Sequence, residues 1–209
     1  MAFLKIIEVD QASDEVRTMY DTVAQQHGFV PNWASAFSHR PKVLAAWSEL
    51  LKSIRDEMDP CRYELATLAA ARALRSSYCM LAHGSVLMRD FFEPEKVASI
   101  AQDYHSAQLR DSDVAVMEFA EKVVRDASSI TADDVDGLRA QGLSEAEIFD
   151  VAAAAAARCF LSKTVDALGI QADSKFRNLD EDVRRHLEIG RPIAPADDTA
   201  DDGENRGPR

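Results

Sequence analysis

Cys79 and His83 stand four residues apart, a spacing that puts both on one face of a helix. A thiol attacks as its thiolate, and a nearby imidazole or helix N-terminus favours that form. The preceding Arg75-Ser76-Ser77 reads as a break between two helices, with Ser76 or Ser77 able to cap the second. Cys79 then falls in a first turn, where the helix dipole favours an anion. Glu64 lies on the preceding helix, and folding the two helices into a hairpin carries its carboxylate back toward His83. Such a set can perform nucleophilic attack by sulfur, with an imidazole–carboxylate pair moving the proton. Each residue also has a plainer reading. Cys79 can be a buried inert thiol, His83 a helix-end cation, Glu64 a partner for Arg62 or Arg72, Ser76 a cap and nothing else, and Tyr78 a packing residue.

The same stretch resembles the alkylhydroperoxidase D (AhpD)/carboxymuconolactone decarboxylase superfamily, in particular its peroxidase-related branch. That family's pattern is a Glu, then a Cys-x-x-Cys beginning twelve residues on, then a His four residues after the second Cys. Here Glu64 is followed at those intervals by Ser76, Cys79 and His83, with Tyr78 before the cysteine. Gly28-Phe29-Val30-Pro31-Asn32-Trp33, Pro41 and the run Thr164 to Ile170 extend the likeness over roughly residues 3–180. Ser76 departs from the pattern: it replaces the cysteine that, in the family, resolves the oxidised nucleophile as an internal disulfide.

The resemblance implies an all-α, AhpD-like bundle of packed helical hairpins that forms a homo-oligomer. It also implies a peroxidase- or peroxiredoxin-type antioxidant activity on a small-molecule peroxide. Cys79, His83 and Glu64 would be catalytic, Ser76 and Tyr78 would line the site, and an external thiol would reduce the sulfenic acid. Two other functions stay open. One is a carboxymuconolactone decarboxylase-like enzyme acting on a lactone or carboxylate, with His83 and Glu64 moving protons. The other is a non-catalytic oligomeric binding or redox-sensing protein.

Composition narrows the partners. A net charge of -12 without a basic cluster argues against nucleic acid and against an anionic membrane face. The cysteines, Cys61, Cys79 and Cys159, make no disulfide framework and suit a reducing cytoplasm. The N-terminus lacks the apolar core of a signal peptide. The longest apolar run, Val151 to Ala157, is too short to span a bilayer. A soluble cytoplasmic protein is expected. Cys79 and His83 supply two ligands where zinc takes three or four, and no glycine-rich phosphate loop is present, so neither metal nor cofactor is expected.

Abundant Ala with sparse Gly and Pro favours helix. After an extended arm at 3–10, Ser13 is placed to cap a first helix that Gly28 ends, and a short helix is expected from Pro31 to His39. Pro41 and Asp59-Pro60 open the next two, and the second of these carries Glu64. The Cys79 helix is expected to reach Phe91 or Phe92. Further helices are read from Pro94 toward Tyr104, from Asp111 to Arg125 and from Ala132 to Gln141, the last capped by Thr131. Ser144 and Glu147 form a capping box for a long helix to Gly169, with a kink expected near Ser162, and a weak helix follows over Asp180 to Ile189. One domain over 1–189 is followed by an acidic tail at 190–209, rich in Pro, Asp and Gly and expected to be disordered. A shift of 86 residues lays Glu64 on Asp150, Arg72 on Arg158, Ser76 on Ser162 and His83 on Gly169. That repeat suggests two related hairpins, of which one carries the thiol.

Overall fold

Local capping chemistry sets several helix boundaries. The Val16 N–H donates to Ser13 Oγ at 3.4 Å, opening α1 (Asp14–His27), and Gly28 closes it in the left-handed region at φ 80°. Only a residue without Cβ takes that conformation freely. The structure, a computed structural model, describes residues 2–196. It is helical, with no strand among the described residues. After α2 (Asn32–Ser35), proline occupies the first position of α3 (Pro41–Arg55) and α4 (Pro60–Ala73), where its missing N–H costs nothing. Then come α5 (Ser77–Asp90), α6 (Pro94–Asp103), α7 (Asp111–Asp126), α8 (Ala132–Ala140), α9 (Glu145–Ala167) and α10 (Glu181–Leu187).

The centre of the bundle is α4, which packs against α5, α7 and α9. Leu65, Ala66, Leu68, Ala69, Ala70 and Ala71 are all completely buried on it, and the small side chains let neighbouring backbones approach closely. The α9 helix is similarly Ala-rich and opens with the expected box: Ser144 Oγ accepts from Glu147 N, and Glu147 Oε2 accepts from Ser144 N at 2.8 Å.

Three details differ from the sequence-based expectation. The segment Pro31 to His39 is helical only through Ser35. The long helix is continuous through Ser162, so the second copy of the repeat does not break where the first does. The start of the acidic tail is held against the fold. Gly190 N donates to Ser77 Oγ at 2.7 Å, Ala194 N donates to Ala172 O at 2.9 Å, and Ile193 is buried. Buried contacts of this kind outweigh the Pro- and Gly-rich composition that suggested disorder; the rest of that tail, 197–209, lies outside the described residues. The N-terminal arm is likewise pinned, with Phe3 N donating to Leu168 O at 2.8 Å and Tyr20 Oη to Ile7 O at 2.6 Å. Among the described residues no helix is long and apolar enough to cross a membrane.

Candidate functional site

The turn between α4 and α5 fixes where the reactive sulfur sits. Arg75 adopts φ 55°. Arg75 N then donates to Arg72 O and Ser76 N to Ala71 O, both at 3.0 Å. This is a Schellman closure with an arginine where glycine is usual, a strained conformation for a residue with a Cβ. Arg75 Nη2 donates to Ile189 O at 3.3 Å, which helps hold the turn. Ser76 occupies the N-cap position of α5, but its side chain caps nothing. Its buried hydroxyl lies toward the Asp166 carboxyl without a hydrogen bond of ordinary length. It makes no hydrogen bond to the Cys79 sulfur, so neither the capping role nor a bond to the thiol is present.

Cys79 is the third residue of α5 and is 4% exposed. Its sulfur accepts from Ser162 Oγ at 3.0 Å and faces Arg158 Nη1 at 3.8 Å. Both donors stand one turn apart on α9. A mid-helix serine usually turns its hydroxyl back to the carbonyl four residues earlier; Ser162 spends it on the sulfur instead. Arg158 Nη2 also faces Tyr63 Oη at 3.5 Å, so α4, α5 and α9 all reach this point. Burial works to lower the Arg158 pKa, but the nearby Cys79, Tyr63 and Glu64 outweigh it and the net shift is upward. The cation is kept.

Glu64 and His83 meet as the hairpin argument expects: His83 Nδ1 lies 2.6 Å from Glu64 Oε2. Burial first, then the positive charge of Arg158, pull the His83 pKa below its ordinary value, while Glu64 opposes them. A neutral imidazole bonded to a carboxylate through Nδ1 donates there, which leaves Nε2 as an acceptor. The Tyr63 ring meets the imidazole edge-on at 6.3 Å between centroids. The hydrogen-bond partners of the Cys79 sulfur come from α9 and do not include His83. The site is therefore two adjoining pairs, a thiol with its α9 donors and an imidazole with its carboxylate.

Tyr78 takes its hydrogen-bond partners outside the pairs around the sulfur. Its hydroxyl donates to Asp173 Oδ2 at 2.5 Å and accepts from Trp33 N at 3.1 Å, while Asn32 N donates to Asp173 Oδ1 at 2.8 Å. Burial and the Asp173 charge push its pKa up. Through Trp33 N it ties α5 to α2. Cys61 and Cys159 are half-buried free thiols. Burial, then the Asp113 charge, push Cys61 up to about 11. Among the described residues no group of three His, Cys, Asp or Glu can hold a metal ion.

Arg158, Ser162 and Tyr63 are the site residues that motif reasoning missed. A signal for the first was present: Arg158 is the single charged residue between Val151 and Leu161. A cation inside so apolar a run needs a buried partner.

Neither a family model nor a curated protein sequence matches the chain. Solved structures do match in fold. The alkylhydroperoxidase AhpD core of an uncharacterized peroxidase-related protein from Ralstonia eutropha JMP134 is 23% identical, with 84% of this chain and 94% of that one covered and a TM-score of 0.76. An uncharacterized peroxidase-related protein from Silicibacter sp. TM1040 is 19% identical, with 85% and 94% covered and a TM-score of 0.77. The debrominase Bmp8, as a cysteine-to-alanine variant in complex with 2,3,4-tribromopyrrole, is 18% identical, with 90% and 98% covered and a TM-score of 0.69. The fold is thus an all-α, AhpD-core-like bundle.

Proposed function

We propose that this chain is a thiol-dependent peroxidase of the AhpD/carboxymuconolactone decarboxylase superfamily. Cys79 is the attacking sulfur, and Glu64 and His83 are the proton carriers. The observation that carries the reading is the surroundings of the sulfur. It sits in the first turn of α5, with a hydroxyl at 3.0 Å and a guanidinium at 3.8 Å, donors that complement negative charge on sulfur. The likeness of fold to a peroxidase-related AhpD core supports it.

In this mechanism His83 Nε2 takes the Cys79 proton, passed through a water or the peroxide itself, since the imidazole is bonded to Glu64 and not to the sulfur. The thiolate attacks the terminal oxygen of ROOH. The S–O bond forms as O–O breaks, the electron pair leaves on RO⁻, and the imidazolium returns its proton to give ROH and Cys79 sulfenic acid. Ser76 cannot resolve that acid. One external thiol displaces water to form a mixed disulfide, and a second releases Cys79 with a free disulfide. Peroxide consumption driven by dithiothreitol should be lost in Cys79→Ser. Equal turnover by the two proteins would discard the reading.

A second reading takes the same sulfur to a carbon–bromine bond. The observation favouring it is the shared fold with Bmp8, a debrominase seen with a brominated pyrrole when its cysteine is alanine. The thiolate would take bromine from carbon, a proton would replace it there, and two external thiols would return the sulfenyl bromide to thiol, releasing bromide and a disulfide. Bromide release from 2,3,4-tribromopyrrole, with no reaction toward peroxides, would select this reading over the first.

Self-association belongs to the same proposal. Val43 and Leu50 on α3 and Phe149 and Phe160 on α9 leave large apolar side chains exposed, and a second copy of the chain is the occupant proposed for them. A monomeric mass by analytical ultracentrifugation would exclude it.

A further inference from the structure

The chemistry assigned to Cys79 draws on one charge only in part. Arg158 is 3% exposed, and its partners are a phenol at 3.5 Å and a thiol at 3.8 Å, both long contacts. Its Nε is buried and makes no hydrogen bond at all. Burying a guanidinium is costly unless its N–H groups meet an anion, and the Glu64 carboxylate nearby is bonded to His83. The resting protein thus holds a cation whose donors are under-used, beside the atom that reacts.

We propose that Arg158 is a catalytic residue that binds the peroxide oxygens as the O–O bond breaks, with Ser162 holding the attacking sulfur in place. The inference rests on the reading of Cys79 as the peroxide-reducing thiol. In that step negative charge leaves sulfur and gathers on the departing oxygen. A donor long to the sulfur before reaction can shorten to an oxygen during it, and only contacts that strengthen toward the transition state accelerate a reaction. The guanidinium fork presents parallel N–H groups that suit two adjacent oxygens, which an ammonium cannot match. Ser162, already at 3.0 Å, is suited to orient the sulfur. His83 then protonates the alkoxide. No atom is required beyond the peroxide and the proton taken from Cys79.

The test compares two reactions of the same sulfur in the full chain: sulfenic acid formation with hydrogen peroxide, read by dimedone labelling, and alkylation by iodoacetamide. The iodide leaving group of the second accepts only weak hydrogen bonds. Arg158→Met should slow the peroxide reaction by about 10² to 10³-fold and the alkylation by no more than about tenfold. Arg158→Lys should remain at least about tenfold slow toward peroxide, since it restores charge without the fork. Arg72→Met, at the equivalent position of the other repeat copy, should alter neither rate. Equal slowing of both reactions in Arg158→Met, or none, overturns the inference. If Arg158→Met lacks the helical circular dichroism of the wild type, Arg158→Lys decides, and a wild-type peroxide rate in that variant overturns the inference. A wild-type protein that forms no sulfenic acid removes the underlying reading of Cys79, and the inference with it.

Discussion

The α4–α5 segment and α9 carry the same Arg and Ser at the same interval, Arg72 and Ser76 in one and Arg158 and Ser162 in the other, yet their fates are opposite. Arg72 lies toward the surface, donating to Gln102 O at 3.2 Å, pairing with Glu121 at 3.6 Å and standing over the Tyr104 ring. Arg158 is sealed inside against the sulfur. Ser76 sits in a helix break with its hydroxyl unbonded, whereas Ser162 sits in mid-helix and bonds to the Cys79 sulfur. What differs is continuity. The first segment turns at Arg75 and starts a new helix, which places a thiol in a first turn; α9 continues, which stacks its cation and hydroxyl one turn apart on the face that meets that thiol. One segment supplies the nucleophile, the carboxylate and the imidazole, the other the donors around the sulfur.

The sharpest way to break this comparison is to give each serine position a thiol. Ser162→Cys should oxidise almost completely to a disulfide with Cys79, because the Ser162 Oγ already lies 3.0 Å from the sulfur, within reach of disulfide geometry after small adjustment. Ser76→Cys should link far less, and mass spectrometry after peptide digestion reads both. Equal linkage would mean that both serines approach the sulfur and the contrast is wrong. Next in size, Glu64→Gln should lower peroxide turnover by about 10²-fold, the usual worth of a proton carrier. It removes the charge that orients His83, and a wild-type rate in Glu64→Gln would confine the chemistry to α9 and the sulfur.

A smaller effect is on stability. His83 titrates below its ordinary value because it is buried beside Arg158. The unfolded chain therefore takes up that proton first, and stability falls as pH drops from about 7 toward about 5. His27, shifted down by burial and Lys175, acts in the same direction. Urea unfolding should show a shallower loss over that range in His83→Gln than in wild type; an identical slope would contradict the burial of the imidazole. Smallest, Ser144→Ala should cost about 1 kcal/mol by removing the α9 cap, lowering Tm by a few degrees. The ratio of peroxide to alkylation rates should not change, because the cap lies three turns or more from Arg158.

The helices were legible because their ends are written in short-range chemistry. Ser13, Asp59, Thr131 and Ser144 each stand at a helix start, and Gly28 ends α1. The Glu64–His83 contact was legible too, as two helices with a short turn between them fold back on each other. The partners of Cys79 were not. The Ala-rich run of α9 is apolar on every side, so periodicity could not say which face Arg158 and Ser162 would present, or to what. Ser162 read as a kink because a mid-helix serine competes for backbone bonds; its actual acceptor lies 83 residues away. The acceptor of Tyr78 was not legible either, since its neighbour in sequence is the nucleophile while its hydroxyl donates to the distant Asp173.

Gly190 touches the backbone of the α4–α5 turn so closely that a Cβ there would lie 1.9 Å from the Arg75 carbonyl oxygen, and its N–H is bonded to the first residue of the Cys79 helix. The stretch from Gly190 to Ala196 thus works as a buckle, threaded over the joint from which the nucleophile projects. Proteolytic trimming that stops at Ala196 leaves it fastened, whereas a cut ahead of Gly190 opens the clasp and frees the root of the reactive helix.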